Sequence, residues 1–140
     1  LGLYSVEILD YNNLLEAVYK NIVTQAASCD ATATLISLKS VDAVIGWDVF
    51  RYWDPDNTDI VYLKPEQLPR LSYIPAAIST FTRDRASAEA FISFLTSKAG
   101  QDIFKKWGYI ATETEAKKYA PEASIGGEYQ IPDAYRKLVK

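Results

Sequence analysis

The stretch "VDAVIGW", residues 41–47, is a compact run of small and β-branched residues with little alternation between apolar and polar positions. Such a run is typical of a strand in a parallel sheet whose two faces are both covered by helices. The segment before it predicts a helix over residues 31–39, with Ser28 or Asp30 as its N-terminal cap. A helix followed by a buried strand predicts an α/β fold.

The segments on either side of this strand also alternate between helix and strand patterns. Upstream, apolar spacing predicts a helix from Asp10 to about Tyr19, and "NIVTQA" at residues 21–26 predicts a short strand. Downstream, "IVYLKP" at residues 60–65 and "SYIPAAISTF" at residues 72–81 predict two more strands. We therefore expect an α/β fold with a mixed, mostly parallel sheet flanked by helices.

The clearest helical pattern is "DRASAEAFISFLTSKAGQDIFKKWGY", residues 84–109. Its two apolar stripes predict two consecutive helices, with Ser97 as the cap of the second and Gly108 at its end. We expect an exposed apolar surface along this pair, formed by Phe91, Phe94, Phe104 and Trp107. The more polar residues 110–140 are expected to wrap the surface, with one short helix near Glu113 to Tyr119.

The composition is that of one folded domain and excludes several classes of protein. The chain has 140 residues, a formal net charge of −3 and 49% hydrophobic residues, which is about one domain's worth of chain. It has no block of like charge, so we expect no nucleic-acid partner. No apolar run approaches the ~20 residues that a membrane-spanning helix needs. Because the chain starts at Leu1 and contains no methionine, we expect a processed or truncated product.

The supply of reactive side chains argues against catalysis. Histidine is absent and Cys29 is the single cysteine, which excludes His or paired-Cys zinc sites and Ser-His-Asp triads. Cys29 is expected to be a small buried hydrophobe. Asp42 and Asp48 would lie ~20 Å apart along a strand, too far to act on one bond. The acidic stretch "DPDNTD", residues 54–59, lacks the glycine and glutamate of an EF-hand loop and predicts a turn. We expect no metal, no cofactor and no enzymatic activity.

The order of these segments resembles the second half of type II solute-binding proteins of ABC importers, and most of all the molybdate and tungstate binders. The likeness spans about residues 21–109, and its most specific part is "AFISFLTSKAGQDIFKKWGY". The resemblance implies a type II lobe in which residues 1–71 form a second-lobe α/β segment. Residues 72–109 would then be the return strand and helix pair, and residues 110–140 the surface-wrapping tail. On this resemblance we expect the chain to lack the first lobe of such proteins.

The resemblance also implies an oxyanion site made mainly of neutral donors at helix N-termini, which carry unpaired N–H groups and partial positive charge. The backbone of Ser28 and Cys29 would face the ligand. Trp47 occupies a strand end where relatives often have a tyrosine that donates its hydroxyl. Asp30 either caps the helix or points inward with Asp48 to favour a metal. The alternative for Trp47 is a small core with Phe50 and Trp53 under a short helix.

The function that the resemblance implies is capture of an oxyanion such as molybdate or tungstate for the permease subunits of an ABC transporter. The protein would be periplasmic or extracellular and associated with the membrane through the transporter. Its partners would include the missing N-terminal lobe or a second copy in a dimer, and we expect the fragment alone to bind little or no ligand, because half the donors would be absent. The alternative function is the ligand-sensing effector domain of a LysR-type transcription regulator.

Overall fold

The computed structural model describes residues 2–139. Within this range the chain forms eight α-helices, one turn of 3₁₀ helix and two short strands. The helices are α1 (Gly2–Tyr11), α2 (Leu15–Tyr19), α3 (Cys29–Ser37), α4 (Phe50–Trp53), α5 (Arg85–Thr96), α6 (Lys98–Lys106), α7 (Glu113–Tyr119) and α8 (Asp133–Leu138). The 3₁₀ turn covers Pro65–Gln67, and the strands are β1 (Arg70–Leu71) and β2 (Ser124–Ile125).

The two strands form a small parallel sheet. The register places Arg70 opposite Ser124, and the N–H of Gly126 donates to the carbonyl of Leu71 at 2.9 Å. The connection between the strands contains α5, α6 and α7, as the crossover between parallel strands requires. The described chain is therefore rich in helix around a small parallel sheet, which agrees with the predicted α/β class.

Four predicted strands are wrong for the described part of the chain. These are residues 21–26, 41–47, 60–65 and 72–81, none of which belongs to a sheet. Most of their length is free of helix, turn and bend, and their backbone–backbone hydrogen bonds within residues 2–139 are local ones near the segment ends, such as that from the N–H of Phe50 to the carbonyl of Trp47, with no neighbouring strand. Their composition favours an extended backbone, but a strand also needs a neighbour that completes its hydrogen bonds. The predicted mixed sheet is reduced to the β1–β2 pair for this reason.

The predicted helix from Asp10 to Tyr19 is interrupted at Asn13. This residue has a φ of 57°, in the left-handed region that asparagine enters more readily than most residues. The N–H of Leu14 donates to the carbonyl of Leu9 at 2.8 Å. The N–H of Asn13 donates to the carbonyl of Asp10 at 3.0 Å. Together these two bonds form the Schellman motif that ends a helix, so α1 and α2 are separate.

The other predicted helices are confirmed together with their caps. The Ser28 hydroxyl oxygen accepts from the N–H of Ala31 at 3.1 Å and starts α3. The Ser97 hydroxyl oxygen accepts from the N–H of Gly100 at 3.2 Å and starts α6. Gly108, with a φ of 87°, follows the end of α6. α7 forms where the polar C-terminal segment predicted a short helix.

The buried core of the described chain is small. It contains Ile8, Leu9, Leu15, Val49, Phe50, Ala120 and Ala123. The two alanines, at 1% and 2% exposure, are the most buried of these, and they lie in the polar C-terminal segment that also provides β2. The total accessible surface is 10369 Å², whereas a compact protein of 15.7 kDa has roughly 7,300 Å². Much apolar surface therefore stays in contact with solvent.

Part of this surface lies on the helix pair, as predicted. Phe91, Phe94 and Trp107 are exposed. Phe104 is half-buried, because its ring packs edge-on against Tyr109 with 5.8 Å between the ring centroids. The apolar surface predicted from the two stripes is thus confirmed for three of its four residues.

The contact between α5 and α6 depends on Gly100. A β-carbon at this position would collide with the carbonyl oxygens of Phe94 and Leu95, which belong to the backbone and cannot move cheaply. We expect Gly100→Ala to lower the free energy of unfolding by about 1–3 kcal/mol. Urea denaturation followed by circular dichroism measures this loss. The control is Ala99→Ser at the exposed neighbouring position, which should change the free energy by less than about 0.5 kcal/mol. Equal effects of the two substitutions would contradict the prediction.

Candidate functional site

The start of α3 carries unpaired backbone donors. Ser28 has an extended backbone and caps the helix, and its carbonyl accepts from the N–H of Thr32 at 3.0 Å. The N–H groups of Cys29 and Asp30 donate to no acceptor within residues 2–139. The first N–H groups of any helix lack an intrahelical partner, and both residues are in contact with solvent here. This turn can donate hydrogen bonds to an anion.

The side chains at this turn differ from the sequence expectations in one respect. Cys29 is half-buried and not fully buried, because the first turn of α3 has little of the described chain packed against it. Asp30 is exposed in the first turn, where its negative charge stabilises the helix. Ser28, and not Asp30, is the N-terminal cap, which decides between the two predicted capping residues.

Trp47 packs against α1. Its ring stacks on that of Tyr4, with 5.6 Å between the centroids and an interplanar angle of 22°. The ring of Phe50 lies instead beside Gly46 and contacts Trp53 at 5.0 Å. Of the three residues in the predicted small core, Phe50 is buried, Trp53 contacts it but stays 48% exposed, and Trp47 belongs to a different contact. The Trp47 indole is half-buried, and its N–H donates to no acceptor in the described part of the chain.

Asp48 lies next to Trp47 at the turn that leads into α4. Burial raises the pKa of its carboxyl above the usual range, while the backbone N–H groups of Val49 and Asp48 act in the opposite direction. The charge of Asp48 also contributes to the raised pKa of Tyr62, after desolvation of that phenol. A raised carboxyl pKa means that the folded chain holds this negative charge at a cost in stability.

The two halves of the predicted site lie on different segments. Trp47 and Asp48 are adjacent in the chain, but no hydrogen bond, ion pair or ring contact joins them to residues 28–30 within the described range. The bond that ties α3 to the segment after α4 lies at the other end of α3, between the Ser37 side chain and Asp54. No direct contact within the described range therefore fixes the distance between residues 28–30 and the pair formed by Trp47 and Asp48.

A cluster of four side chains around Arg70 was not predicted. We call Tyr4, Glu7, Arg70 and Tyr129 the Arg70 cluster. The Arg70 Nε and Nη2 donate to the Glu7 carboxylate at 2.8–3.1 Å, and the guanidinium lies over the Tyr129 ring at 4.9 Å. The Tyr4 hydroxyl donates to the Arg70 carbonyl. Glu7 and Arg70 are 63 residues apart, so nothing local in the sequence indicates the pair.

The Arg70 cluster is a structural contact and not an open anion site. Its three guanidinium nitrogens all have protein acceptors, because Nη1 donates to the carbonyl of Gly126 while the other two bind Glu7. Both charged side chains are largely buried, at 18% and 20% exposure. The cluster therefore holds α1 against β1, and the stacked Tyr4 holds Trp47 in turn.

The acidic stretch at residues 54–59 forms a turn, as predicted. Bonds from the side chains of Ser37 and Asn57 lower the pKa of Asp54, and the Thr58 hydroxyl donates to the Asp54 carbonyl at 2.5 Å. In the part of the chain that the structure describes, no group of three or more His, Cys, Asp and Glu side chains could hold a metal ion.

Two shallow depressions lie on the surface away from the predicted residues. One, of about 270 Å³, is lined by Tyr19 and residues 22–25. The other, of about 360 Å³, lies between residues 76–79 and α5. Neither is lined by residues 28–30 or by Trp47 and Asp48.

The comparisons with known proteins identify the family. A family model described as bacterial extracellular solute-binding protein matches residues 1–110. The chain belongs to this family. No curated protein and no solved structure matches it. The matched range contains all five predicted site residues and the helix pair that carried the resemblance.

Membership in this family supports a role in binding a small solute, with transporter components as partners in general terms. The family's description as extracellular supports a location in the periplasm or outside the cell. Among residues 2–139, no helix has the length and apolar character needed to cross a membrane. The alternative of a LysR-type effector domain gains no support from the comparisons.

We expect Glu7→Gln to lower the free energy of unfolding by about 1–3 kcal/mol, because the largely buried guanidinium loses its charged acceptor. The matched control is Glu16→Gln, which breaks an exposed pair with Lys20 at 3.7 Å and should cost at most about 0.5 kcal/mol. Chemical denaturation of the two variants measures the difference. If Glu16→Gln costs as much as Glu7→Gln, the Arg70 cluster does not hold α1 in place.

We also expect alkaline destabilisation through Tyr4. Burial, followed by the charges of Tyr129 and Glu7, raises its pKa to about 12. The unfolded chain has a tyrosine pKa near 10, so the folded state retains a proton that the unfolded state has lost. The contribution of the neutral Tyr4 phenol to the free energy of unfolding is fully present below about pH 10. It is lost as the pH rises toward 12.

Thermal unfolding at a series of alkaline pH values measures this effect. The decline in stability should be less steep in Tyr4→Phe than in the unmodified chain, because phenylalanine does not titrate. Tyr11→Phe on the same helix is the control, since Tyr11 is exposed. The same alkaline decline in all three proteins would refute the assignment to Tyr4.

Proposed function

We propose that the protein is the substrate-binding component of an ABC importer and that it captures an oxyanion such as molybdate or tungstate without catalysing a reaction. The observation that carries this proposal is the start of α3, where the N–H groups of Cys29 and Asp30 have no acceptor within residues 2–139. A helix start with free N–H groups and partial positive charge suits an anion. The family match supports the binding role in general terms.

Trp47 supplies a second element of the proposed site. Its indole N–H has no acceptor in the described chain, and the stacked ring of Tyr4 fixes its plane. The indole N–H is a hydrogen-bond donor only, so this group can bind an oxygen atom of an oxyanion. In the proposed site it takes the part that a tyrosine hydroxyl takes in molybdate-binding relatives.

Asp48 limits the charge that the proposed site tolerates. A half-buried carboxylate next to Trp47 repels an anion unless it is protonated or turned away, and burial already raises its pKa. If the ligand were instead held by direct coordination of the metal to Asp30 and Asp48, the same carboxylate would be an attractive group. Removing the charge of Asp48 should strengthen ligand binding in the first kind of site and weaken it in the second. The direction of the change in affinity therefore distinguishes the two.

We further propose that the described residues form one lobe of the type II solute-binding fold, with the site on its open side. Several apolar segments without a partner strand among the described residues support this, because they are suited to a larger sheet than the one observed. A second lobe or a second copy of the chain would supply further donors to the anion. The permease subunits of the transporter, in the periplasmic or extracellular setting of the family, would be the partners that receive it.

The test is a thermal-shift titration of the full-length protein with molybdate, tungstate and sulfate. A ligand that binds only the folded form stabilises it by about 2.7 kcal/mol at a concentration of 100 times Kd. Trp47→Phe should weaken binding about tenfold or more, since a hydrogen bond to a charged group is worth about 1.5–3 kcal/mol. Trp53→Phe, the same change at a ring packed against Phe50, should leave binding unchanged.

Asp48→Asn is the decisive variant for the ligand's charge. In an oxyanion site made of neutral donors it should tighten binding, because it removes a repelling charge. In a site that coordinates the metal through carboxylates it should weaken binding. No stabilisation by any of the three oxyanions would reject the ligand assignment while leaving membership in the solute-binding family intact.

A further inference from the structure

The Tyr4 ring contacts two other aromatic rings. It stacks on Trp47, and it meets the ring of Tyr129 edge-on, with 5.9 Å between the centroids and an interplanar angle of 68°. Within residues 2–139, Tyr4 is the aromatic partner that Trp47 has. The orientation of the Tyr4 ring therefore limits the planes that the Trp47 indole can adopt.

The contact with Tyr129 restricts rotation of the Tyr4 ring. The Tyr4 hydroxyl donates to the carbonyl of Arg70, which fixes the far end of the side chain but leaves rotation of the ring about its long axis. That torsion is broad for tyrosine in general. Because aromatic pairs prefer edge-on or offset arrangements, the ring of Tyr129 favours one orientation of the Tyr4 ring.

Tyr129 is itself held at two points. Its hydroxyl donates to the side-chain oxygen of Ser72 at 2.9 Å, and the guanidinium of Arg70 lies over its ring at 4.9 Å. A cation over an aromatic face is attracted by the electron density of the ring. The half-buried Tyr129 is thus restrained both at its hydroxyl and at its ring, so it can restrain Tyr4 in turn.

Two glycines bring Tyr129 to this place. Gly126 and Gly127 follow β2 with φ values of 54° and 87°, in the left-handed region that glycine enters without steric cost. A β-carbon on Gly126 would also collide with the ring of Tyr73. The carbonyl of Gly126 accepts from the Arg70 guanidinium. The turn is therefore fixed beside Arg70, and Tyr129 follows it two residues later.

The direction of the Trp47 N–H depends on the plane of its ring, because this N–H lies in that plane. Hydrogen bonds weaken steeply when the angle at the hydrogen falls below about 120°. A contact that fixes the plane of the indole therefore affects the strength of its bond to an anion. Tyr129 lies beyond residues 1–110, the range that the family model matches, so its role follows from its contacts alone.

We propose that Tyr129 is a positioning residue for solute binding. It holds the ring of Tyr4, and Tyr4 holds the Trp47 indole in the plane from which the N–H donates to the ligand. This inference rests on the proposed function, because it takes the Trp47 N–H as a donor to an oxyanion. The segment after β2 thereby supports a site whose donors all lie within residues 1–110.

Near-ultraviolet circular dichroism of the 140-residue chain tests the position of Trp47 without any ligand. This signal requires fixed side-chain packing, and subtracting the spectrum of the same chain with Trp47→Phe isolates the contribution of Trp47. Tyr129→Leu and Tyr129→Gln both remove the ring, and each should lose this contribution. Tyr129→Phe keeps the ring and should retain it. Using two ring-removing substitutions identifies a folding defect peculiar to one of them.

The matched control is Tyr135→Leu. Tyr135 meets Tyr19 edge-on at the same 5.9 Å, and its hydroxyl accepts from the side chain of Gln25 at 3.2 Å, so the substitution removes a similar ring contact elsewhere. It should leave the Trp47 contribution unchanged. Far-ultraviolet circular dichroism checks that each variant keeps its helices. Retention of the Trp47 contribution in the folded Tyr129 variants, or its equal loss in Tyr135→Leu, would overturn the proposal.

Titration of the full-length protein with molybdate and tungstate tests the effect on binding. Tyr129→Leu should weaken binding about twofold to tenfold, the range that an aromatic pair contributes. Tyr129→Phe and Tyr135→Leu should bind like the unmodified protein. Because Tyr129 acts through Tyr4, adding Tyr129→Leu to Tyr4→Leu should have no further effect on affinity.

Two results of this titration would contradict the proposal. One is a Tyr129→Leu variant that loses the Trp47 signal but binds the anions as well as the unmodified protein does. The other is a further loss of affinity from Tyr129→Leu in the Tyr4→Leu background. If the unmodified protein binds neither anion, the proposed ligand is rejected, and the spectra alone decide whether Tyr129 positions Trp47.

Discussion

The structure depends on one constraint, the need of each extended segment for a backbone partner. Arg70 and Leu71 obtain theirs from β2, and the ion pair between Arg70 and Glu7 then fixes α1 on the same strand. Tyr4 in turn stacks on Trp47. These contacts form one connected unit, whereas the extended segments beyond β1 have no such partner among the described residues, and their apolar side chains remain exposed.

Structure that depends on short-range interactions is predictable from the sequence, and structure that depends on long-range interactions is not. The caps Ser28 and Ser97 and the left-handed Gly108 were predictable, because helix starts and ends are decided by groups three or four residues apart. The helix break at Asn13 also depends on local bonds. It was not predicted, because the apolar spacing typical of a helix continues across Asn13. The strands were predicted from composition, which indicates an extended backbone and carries no information on whether a neighbour is present.

The same distinction applies to the candidate site. The free N–H groups at the start of α3 follow from the helix alone, so their position was predictable. The orientation of Trp47 was not, because it is decided by Tyr4 on a helix that the sequence analysis did not identify. The Arg70 cluster joins residues more than sixty positions apart, and its charged groups satisfy one another. The identity of the solute depends on such side-chain directions, and the proposal of an oxyanion rests on the resemblance to molybdate and tungstate binders.

The absence of a direct contact between the start of α3 and Trp47 has a consequence for binding. In the proposed site, two groups of donors that no direct contact joins must both reach one anion, and binding would hold them at one separation. The ordering then costs conformational entropy, which the new hydrogen bonds must offset. Since a ligand favours the arrangement that it binds best, an anion between these segments would supply the restraint that the described chain lacks.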